Sequence, residues 1–338
     1  MKYRIIVLVA FLLSLTLIIC NTNNIVRWFN PENNKAKTTS FSESSSTKEN
    51  TTETAIAYWQ PKPVNLITNR TLKEQVNYGK ELIAHTAKYL GPNGTVLQIT
   101  NGQNCQNCHL QAGTLVFANN YGSVASSYPK FRARSGRLEN IYKRVNDCLE
   151  RSLNGKALDT TSKEMQAIVA YINHIGSNVP KGQHAAGSGL KDMAYLKRAA
   201  DPIKGKAVYV TKCQSCHQAN GEGVLQPDKV EYSFPPLWGK HSFNDGAGLY
   251  RISNFAKYIK YNMPLGVTHE NPQLSDEEAW DVSAYVITQS RPHLEVPNDW
   301  PDIAKKPIDY PFGPYADAFS QKQHKYGPFN PIVSSTKK

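Results

Sequence analysis

The chain has 338 residues, 40% of them hydrophobic, and 39 Lys and Arg against 27 Asp and Glu give a formal net charge of +12. This length is too great for one small domain and leaves room for two domains of about 100–150 residues plus extensions. Residues 61–200 hold 18 basic and 8 acidic side chains, whereas residues 201–295 hold 9 and 11, so a basic half that suits a small anion precedes a faintly acidic half.

The N-terminus has the pattern of an export segment. Met1–Arg4 is basic and Ile5–Ile19 is an unbroken apolar run. A run of this length fits a secretory signal better than a full membrane span. Three alternatives stay open for residues 1–20: an uncleaved anchor, a lipoprotein attached at Cys20, or a cleaved signal. Each of them delivers the rest of the chain to the periplasmic side of a membrane.

Residues 21–60 are predicted to be a flexible tether. Residues 30–54 are rich in Ser, Thr, Asn, Glu and Lys and have almost no large apolar side chain. Such a segment cannot bury enough apolar surface to offset the entropy lost on ordering.

The strongest motif is Cys105-Gln106-Asn107-Cys108-His109, which recurs as Cys213-Gln214-Ser215-Cys216-His217. Cys-x-x-Cys-His is the attachment signature of c-type haem, in which two cysteines form thioethers and the histidine binds iron. Two covalently bound haem c groups are therefore predicted, on Cys105, Cys108, Cys213 and Cys216, with His109 and His217 as iron ligands. A zinc knuckle or a thioredoxin-like pair is the weaker alternative. Haem attachment follows export, so nucleic acid is not expected as a partner of the basic half.

The segments around the two motifs follow one plan. A helical run over Glu74–Leu90 precedes the first motif, and Ile203–Val210 precedes the second. After each motif a capping box predicts a helix start, at Thr161-Ser162-Lys163-Glu164 and at Ser275-Asp276-Glu277-Glu278. Cys148 lies 13 residues before the first box and Met263 lies 12 before the second, so these two residues occupy equivalent positions.

Met263 is the predicted sixth ligand of the second haem. It stands in Asn262-Met263-Pro264, a plausible distal loop, and a thioether ligand favours ferrous iron and raises the potential. Packing in the core is the ordinary role of a methionine. Three nearby lysines could compete for the iron in one redox state: Lys240, Lys257 and Lys260.

Cys148 is the predicted sixth ligand of the first haem, where a thiolate would lower the iron potential. A buried structural cysteine is the ordinary alternative, and His85, His174 and His184 are other candidates for the position. Residues 144–154 suit a short helix that ends at Gly155, and on it Arg144, Cys148 and Arg151/Ser152 share one face.

Cations are dense around this predicted helix. Residues 130–151 carry seven of them against three acids, namely Lys130, Arg132, Arg134, Arg137, Lys143, Arg144 and Arg151. A solvated basic face is one interpretation. The other is a cradle for a small dianion, since guanidinium groups present paired donors to oxyanions.

The repeated plan resembles class I cytochrome c, which implies an all-α fold of two domains with one covalently bound haem each. The N-terminal anchor and disordered tether predicted above precede them. The predicted boundaries are 1–20 for the signal or anchor, 21–60 for the tether, 61–180 for the catalytic domain, 181–200 for a linker, 201–295 for the electron-transfer domain and 296–338 for a C-terminal strap. The strap is rich in Pro and aromatic residues, and we expect it to pack irregularly over the domains without a functional role.

Four stretches together resemble the periplasmic dihaem thiosulfate dehydrogenases, a family related to the cysteine-ligated haem sulfur-oxidation cytochromes. They are Cys105–His109, Arg144 to Gly155 with Cys148, Phe234-Pro235-Pro236-Leu237-Trp238-Gly239 and Asn262-Met263-Pro264-Leu265-Gly266. The resemblance covers roughly residues 65–295.

This resemblance implies an enzyme that joins two thiosulfates into tetrathionate, or reduces tetrathionate in reverse. Electrons would pass from haem 1 to haem 2 and then to a periplasmic cytochrome or similar carrier. It implies that Cys148 is the distal ligand of the active-site haem and a nucleophile for sulfur, and that Arg134, Arg144 and Ser152 bind substrate.

Three alternative functions stay open at this point. A dihaem cytochrome c peroxidase would have little use for the arginines. A non-catalytic, membrane-tethered electron carrier would need two electron-transfer haems and no substrate site. A cysteine-ligated sulfur-oxidation protein would share Cys148 but would normally work with a partner subunit.

Overall fold

The computed structural model describes residues 57–335, and this part of the chain is rich in helix. The predicted anchor and tether, Cys20 included, lie outside it except for residues 57–60. Twelve α-helices run in order through these described residues: α1 (Arg70–Ala84), α2 (Thr86–Leu90), α3 (Leu110–Gly113), α4 (Val124–Ser127), α5 (Ile141–Arg151), α6 (Lys163–Ile175), α7 (Pro202–Lys212), α8 (Gln214–His217), α9 (Ile252–Asn262), α10 (Asp276–Thr288), α11 (Gln321–Tyr326) and α12 (Asn330–Ser335).

Short strands accompany the helices, which the prediction of an all-α fold did not include. The six strands are β1 (Ala118–Asn120), β2 (Lys130–Arg132), β3 (Arg137–Glu139), β4 (Gly189–Leu190), β5 (Val224–Leu225) and β6 (Tyr232–Phe234). They pair antiparallel as β1 with β4, β2 with β3 and β5 with β6. Each pair is too short to bury a face of its own, so the cores are built by helices.

Each half of the described chain is centred on a crossing of two helices at a glycine. A Cβ on Gly79 in α1 would lie 2.0 Å from the carbonyl oxygen of Ala167 in α6. A Cβ on Gly205 in α7 would lie 1.9 Å from the carbonyl oxygen of Asp281 in α10. Only glycine permits such close backbone approach, so the two halves share one packing plan, as the internal repeat indicates.

The two C-terminal helices of this plan begin at capping serines. Ser275 and Glu278 form the predicted capping box, in which each side chain accepts from the backbone of the other residue. The prediction of a box at Thr161 was wrong by one residue, because Ser162 is the N-cap and its hydroxyl accepts from the N–H of Met165. Thr161 instead donates to Asp159 through both its N–H and its hydroxyl.

Two further helix predictions needed correction. The run predicted over Glu74–Leu90 is broken at His85, whose backbone leaves the helical region between α1 and α2. The helix around Cys148 begins at Ile141 and ends at Arg151, well before Gly155. Asn154, with φ +42°, adopts the left-handed conformation after it, a position that Asn tolerates better than most residues.

Side-chain to backbone hydrogen bonds join the two halves. The Tyr258 hydroxyl donates to the carbonyl of Asn107 at 2.8 Å, and the Asn101 amide donates to the carbonyl of Ser242 at 3.0 Å. The Asn244 amide donates to the carbonyl of Glu150 at 2.8 Å. The first and second haem motifs are therefore held in one compact unit.

The C-terminal strap, residues 296–338, follows the second half in sequence and packs against it. Asp309 is buried, and it accepts hydrogen bonds from Arg251 and from Ser253 at the start of α9. The strap is irregular as far as residue 320, apart from a 3-10 turn at Ile303–Lys305, and then forms α11 and α12. Among residues 57–335, no helix has both the length and the apolar character to cross a membrane.

Candidate active site and haem pockets

The first haem motif is held in a tight turn by its neighbours. Cys105–Asn107 forms a 3-10 turn, and the side chain of Asn107 accepts from the N–H of Asn104 at 2.7 Å. The N–H of Cys105 donates to the hydroxyl of Thr86 at 2.9 Å, and the N–H of His109 donates to the carbonyl of Cys105 at 3.0 Å. These bonds bring both cysteines and the histidine to one side of the turn.

His109 is oriented for ligation through one ring nitrogen. Its Nδ1 lies 2.6 Å from the carbonyl oxygen of Asn119, which can only accept, so Nδ1 carries the proton. Nε2 is then the nitrogen left for a metal, the arrangement that fixes most ligating histidines. Tyr121 packs beside the imidazole with the ring centroids 4.6 Å apart.

Cys148 faces His109 from α5, so the structure brings together the two predicted ligands of haem 1. The other candidates lie elsewhere. His85 bonds the carboxylate of Glu231 at 3.1 Å, and His174 contacts the carbonyl of Pro63 at 3.2 Å. His184 is exposed.

Arg144 contacts the Cys148 sulfur directly. The two residues are one turn apart on α5, and Nη1 of Arg144 lies 2.9 Å from Sγ. Burial raises the pKa of the Cys148 thiol, but Arg144 and His109 lower it by more, and the net effect lowers the pKa to about 7. In return the Cys148 thiolate raises the pKa of Arg144. A thiolate is therefore the form of Cys148 that this site favours.

Arg134 and Arg151 complete an arginine cluster with Arg144. Burial lowers the pKa of Arg134, and the charges of Arg151 and Arg144 lower it further, so the three guanidinium groups lie close enough to repel one another. Asp299 of the strap accepts two hydrogen bonds from Arg151, at 2.9 and 2.8 Å, and lies 3.9 Å from Nε of Arg134.

Ser152 follows Cys148 by one turn at the end of α5. It is half-buried, and its N–H donates to the carbonyl of Cys148 at 2.9 Å. Its backbone is still in the helical region, so the placement of its hydroxyl on the face of Arg144 and Cys148 stays a prediction from the i, i+4 spacing.

The other predicted cradle cations do not converge on Cys148. Lys143 is bonded to Asp147 on its own helix, and Arg132 lies 4.0 Å from Glu139 across the β2–β3 hairpin. Lys130 and Arg137 are exposed. Lys130 and Arg132 are two residues apart on β2, and Arg137 pairs with Arg132 across the hairpin, so these three side chains share one hairpin face with Glu139.

The second haem motif lines a cavity of about 330 Å³. His217 donates from Nδ1 to the carbonyl oxygen of Pro235 at 2.9 Å, and burial lowers its pKa, so a neutral imidazole with a free Nε2 is favoured. Met263 lines the same cavity with Cys213 and Cys216.

The lysines that could have competed with Met263 are held elsewhere. Lys257 pairs with Asp192 at 2.8 Å, and Lys260 pairs with Asp276 at 2.5 Å. Lys240 is exposed. Of Met263 and these three lysines, Met263 is the residue that lines the cavity.

The residues of both sites fit covalently bound haem better than zinc. Each motif supplies two cysteine sulfurs and an imidazole whose Nδ1 is already committed to a carbonyl. The cavity around the second motif is walled mainly by apolar side chains, as a porphyrin requires. Within residues 57–335 no three His, Cys, Asp or Glu side chains converge as a zinc site would need.

Sequence reasoning missed several contributors to these sites. The carbonyls of Asn119 and Pro235 orient the histidines, and a backbone carbonyl leaves no signal in residue type. Asp299 and Trp300 reach the arginine cluster from the strap, 148 residues beyond Arg151 in the case of Asp299. The sequence feature that could have indicated this contact is the carboxylate of Asp299 next to Trp300 in a proline-rich tail.

The two halves of the chain match different protein families. Residues 97–180 match the family described as SoxA/TsdA, cytochrome c domain, and residues 203–290 match the general cytochrome c family. The half that contains Cys148 is thus the specialised one.

The chain is similar to proteins named thiosulfate dehydrogenase. It is 38% identical to that of Allochromatium vinosum over 236 residues, which is 69% of this chain and 84% of the relative. It is 39% identical to that of Psychrobacter arcticus over 229 residues, 67% of each chain.

One solved structure is also similar, the "as isolated" form of thiosulfate dehydrogenase (TsdBA) from Marichromatium purpuratum. The TM-score is 0.64 at 29% identity, over 75% of this chain and 52% of the other. This chain therefore spans about half the length of that protein.

Proposed function

The chain belongs to the thiosulfate dehydrogenase family, and from this premise we propose that it joins two thiosulfate ions into tetrathionate and releases two electrons to a periplasmic carrier. One S–S bond forms between the two sulfane sulfurs, no proton is exchanged, and each thiosulfate gives up one electron. The same site would reduce tetrathionate when the electron supply is reversed.

The observation that carries the proposal is the contact between Arg144 and Cys148 opposite His109. A cysteine sulfur held as a thiolate by a guanidinium at 2.9 Å can bind iron. It could also bond the sulfane sulfur of one thiosulfate, with two electrons removed to the acceptor, until a second thiosulfate displaces tetrathionate and restores the thiolate. An electron-carrying haem needs no such arrangement, and at the second site the corresponding donor is the uncharged thioether of Met263.

Fixed positive charge addresses the main electrostatic obstacle of the reaction. Two dianions repel each other as their sulfur ends approach, and bound cations offset that repulsion without reorganising. Arg144, which contacts Cys148, and Arg134, whose charge interacts with that of Arg144, are the guanidinium groups proposed to meet the sulfonate oxygens. Ser152 adds a hydroxyl one helical turn after Cys148. Arg151 is committed to Asp299.

The bound haems would accept the two electrons and pass them on. A short path between the haems is supported by Cys108, which belongs to the first motif and also lines the cavity of the second. Tyr258 of the second half bonds Asn107, the residue next to Cys108. The faintly acidic second half suits a basic carrier as the electron acceptor.

We also propose that the domains work on the periplasmic side of a membrane, held there by the N-terminal segment. The basic start and apolar run of residues 1–20 support this location. Retention, lipidation at Cys20 and cleavage remain the three alternatives for that segment.

An assay of thiosulfate-dependent ferricyanide reduction tests the proposal, on the wild-type holoprotein and on Cys148→Gly. We expect wild type to consume two ferricyanides for each tetrathionate formed and Cys148→Gly to form none. Met263→Gly is the matched control, because it removes the sulfur donor at the equivalent position of the other haem. In that variant thiosulfate should still reduce haem 1.

Other outcomes would favour the alternative functions. Thiosulfate turnover by Cys148→Gly would contradict the role of the cysteine. Inactivity of all three proteins with intact haem spectra would favour an electron carrier, and turnover of peroxide would favour a peroxidase. Activity that depends on a co-purified subunit would favour a sulfur-oxidation protein of the cysteine-ligated type.

A further inference from the structure

The Asp299–Trp300 turn of the strap contacts the arginine cluster. We propose that these two residues are positioning residues, which hold Arg134 in place for the anionic substrate. The inference rests on the proposed function, because that function assigns Arg134 to thiosulfate. It gives the C-terminal strap a part in the active site, which the sequence alone did not predict.

Arg134 depends on the strap for its placement. It lies in the loop between β2 and β3, where no helix or strand fixes it. Its carbonyl accepts from the N–H of Trp300 at 2.6 Å, and its guanidinium lies 5.7 Å from the centre of the Trp300 ring. Nε lies 3.9 Å from the Asp299 carboxylate. The backbone donor, the ring face and the negative charge that contact Arg134 therefore all come from two adjacent residues, Asp299 and Trp300.

Asp299 is in turn joined to the helix that carries Cys148. Arg151, the last residue of α5, grips the carboxylate with two parallel hydrogen bonds, a geometry that fixes direction as well as distance. Arg151 also donates to the carbonyl of Gly246 at 3.3 Å. The position of Arg134 is therefore tied to the position of Cys148 through Asp299.

Arg134 has a charge that Asp299 only partly neutralises and a hydrogen-bond donor without an acceptor, and an anion could use both. Asp299 is shared, and its two oxygens are already bonded to Arg151, so Arg134 receives only a long contact. Nε of Arg134 is buried and makes no hydrogen bond within the described part of the chain. A buried donor without an acceptor is costly, and an oxyanion would satisfy it.

Trp300 is held in a conformation that a bulky residue seldom adopts. Its φ of +61° lies in the left-handed region. Such a conformation persists where the surroundings over-determine it. Here the ring is buried and packs edge-on against Tyr310 at 5.4 Å, with Arg134 over it.

The test compares Asp299→Asn with wild type in steady-state thiosulfate kinetics of the holoprotein. We expect KM to rise about tenfold with kcat changed less than about twofold, because Arg134 loses a contact that orients it toward the substrate while the chemistry is kept. Loss of a negative charge alone would instead lower KM for a dianion. Asp302→Asn is the matched control, an exposed aspartate of the same strap that pairs with Lys305, and it should leave KM unchanged.

A double-mutant cycle with Arg134→Gln separates positioning from general stability. If Asp299 acts through Arg134, Asp299→Asn should add little to the KM of Arg134→Gln, since contacting residues are non-additive. Additive effects, or a KM for Asp299→Asn equal to or below that of wild type, would overturn the inference. If Asp299→Asn does not retain haem, Trp300→Leu takes its place in the cycle with the same expectation.

The result also distinguishes this inference from the proposed function. Tetrathionate formation by wild type supports the function whatever Asp299 does. An elevated KM in Arg134→Gln with an unchanged KM in Asp299→Asn would retain Arg134 as a substrate contact and refute the role of the strap. An unchanged KM in Arg134→Gln would refute both residue assignments.

Discussion

Replacing Arg144 by Gln should lower the reduction potential of haem 1. Cys148 is the proposed ligand of that haem, and Arg144 donates to its sulfur at 2.9 Å. A donor to a thiolate ligand withdraws electron density that would otherwise stabilise ferric iron. A hydrogen bond to a charged group contributes about 1.5–3 kcal/mol. At 59 mV per tenfold for one electron, the whole bond corresponds to about 60–130 mV.

Only part of that bond should change with the oxidation state of the iron, because the sulfur remains anionic in both. We therefore expect the potential of haem 1 to fall by about 30–65 mV, half of that range. KM for thiosulfate should rise about tenfold or more, since a cation facing the dianion is lost as well. Spectroelectrochemical titration of both haems measures the first effect, and steady-state kinetics measures the second.

Two control variants separate the contact from general electrostatics. Lys143→Gln removes the same charge one residue away on α5, but Lys143 is bonded to Asp147 and does not touch the sulfur. Arg144→Lys keeps the charge and loses the planar guanidinium, so the potential of haem 1 in this variant should lie between those of Arg144→Gln and wild type. A shift of haem 1 no larger in Arg144→Gln than in Lys143→Gln would refute the reasoning.

Two further variants test the second half of the molecule. Met263→Gly should abolish the sulfur-to-iron absorption band and lower the potential of haem 2 while haem 1 is unchanged, and retention of the band would exclude Met263 as the ligand. Gly205→Ala places a Cβ 1.9 Å from the carbonyl oxygen of Asp281 and should cost about 1–3 kcal/mol of stability, seen as a lower Tm of the holoprotein. Gly248→Ala is its control, because nothing lies within 4 Å of the Cβ there, and an equal fall in Tm for both variants would contradict the helix-crossing explanation.

The chemistry of haem attachment could be predicted from the sequence because it depends on local spacing. Cys105, Cys108 and His109 lie within five residues, so one turn of backbone brings them together whatever the rest of the chain does. Arg144 and Cys148 are likewise one helical turn apart, and their contact followed from the period of the helix. The equivalence of Cys148 and Met263 came from comparing two copies of one plan within the chain.

Features that depend on competing hydrogen bonds or on pairing between segments were predicted less well. The cap at Thr161 was misplaced by one residue because Thr161 and Ser162 are both good capping residues, and the competing bonds of Thr161 to Asp159 decided between them. The β2–β3 hairpin was not predicted. It places Lys130, Arg132 and Arg137 on one face with Glu139, an arrangement that the count of seven cations in residues 130–151 could not show.

The two haem motifs, the thiolate candidate and the helices that carry them could be predicted from residue order, since each depends on residues a few positions apart. Which cations meet at the site depends on the tertiary fold. Asp299 joins Arg151 and Arg134 across more than 140 residues of sequence. Electrostatic pairing depends on the separation of charges in space, and over that length of chain the fold alone sets it.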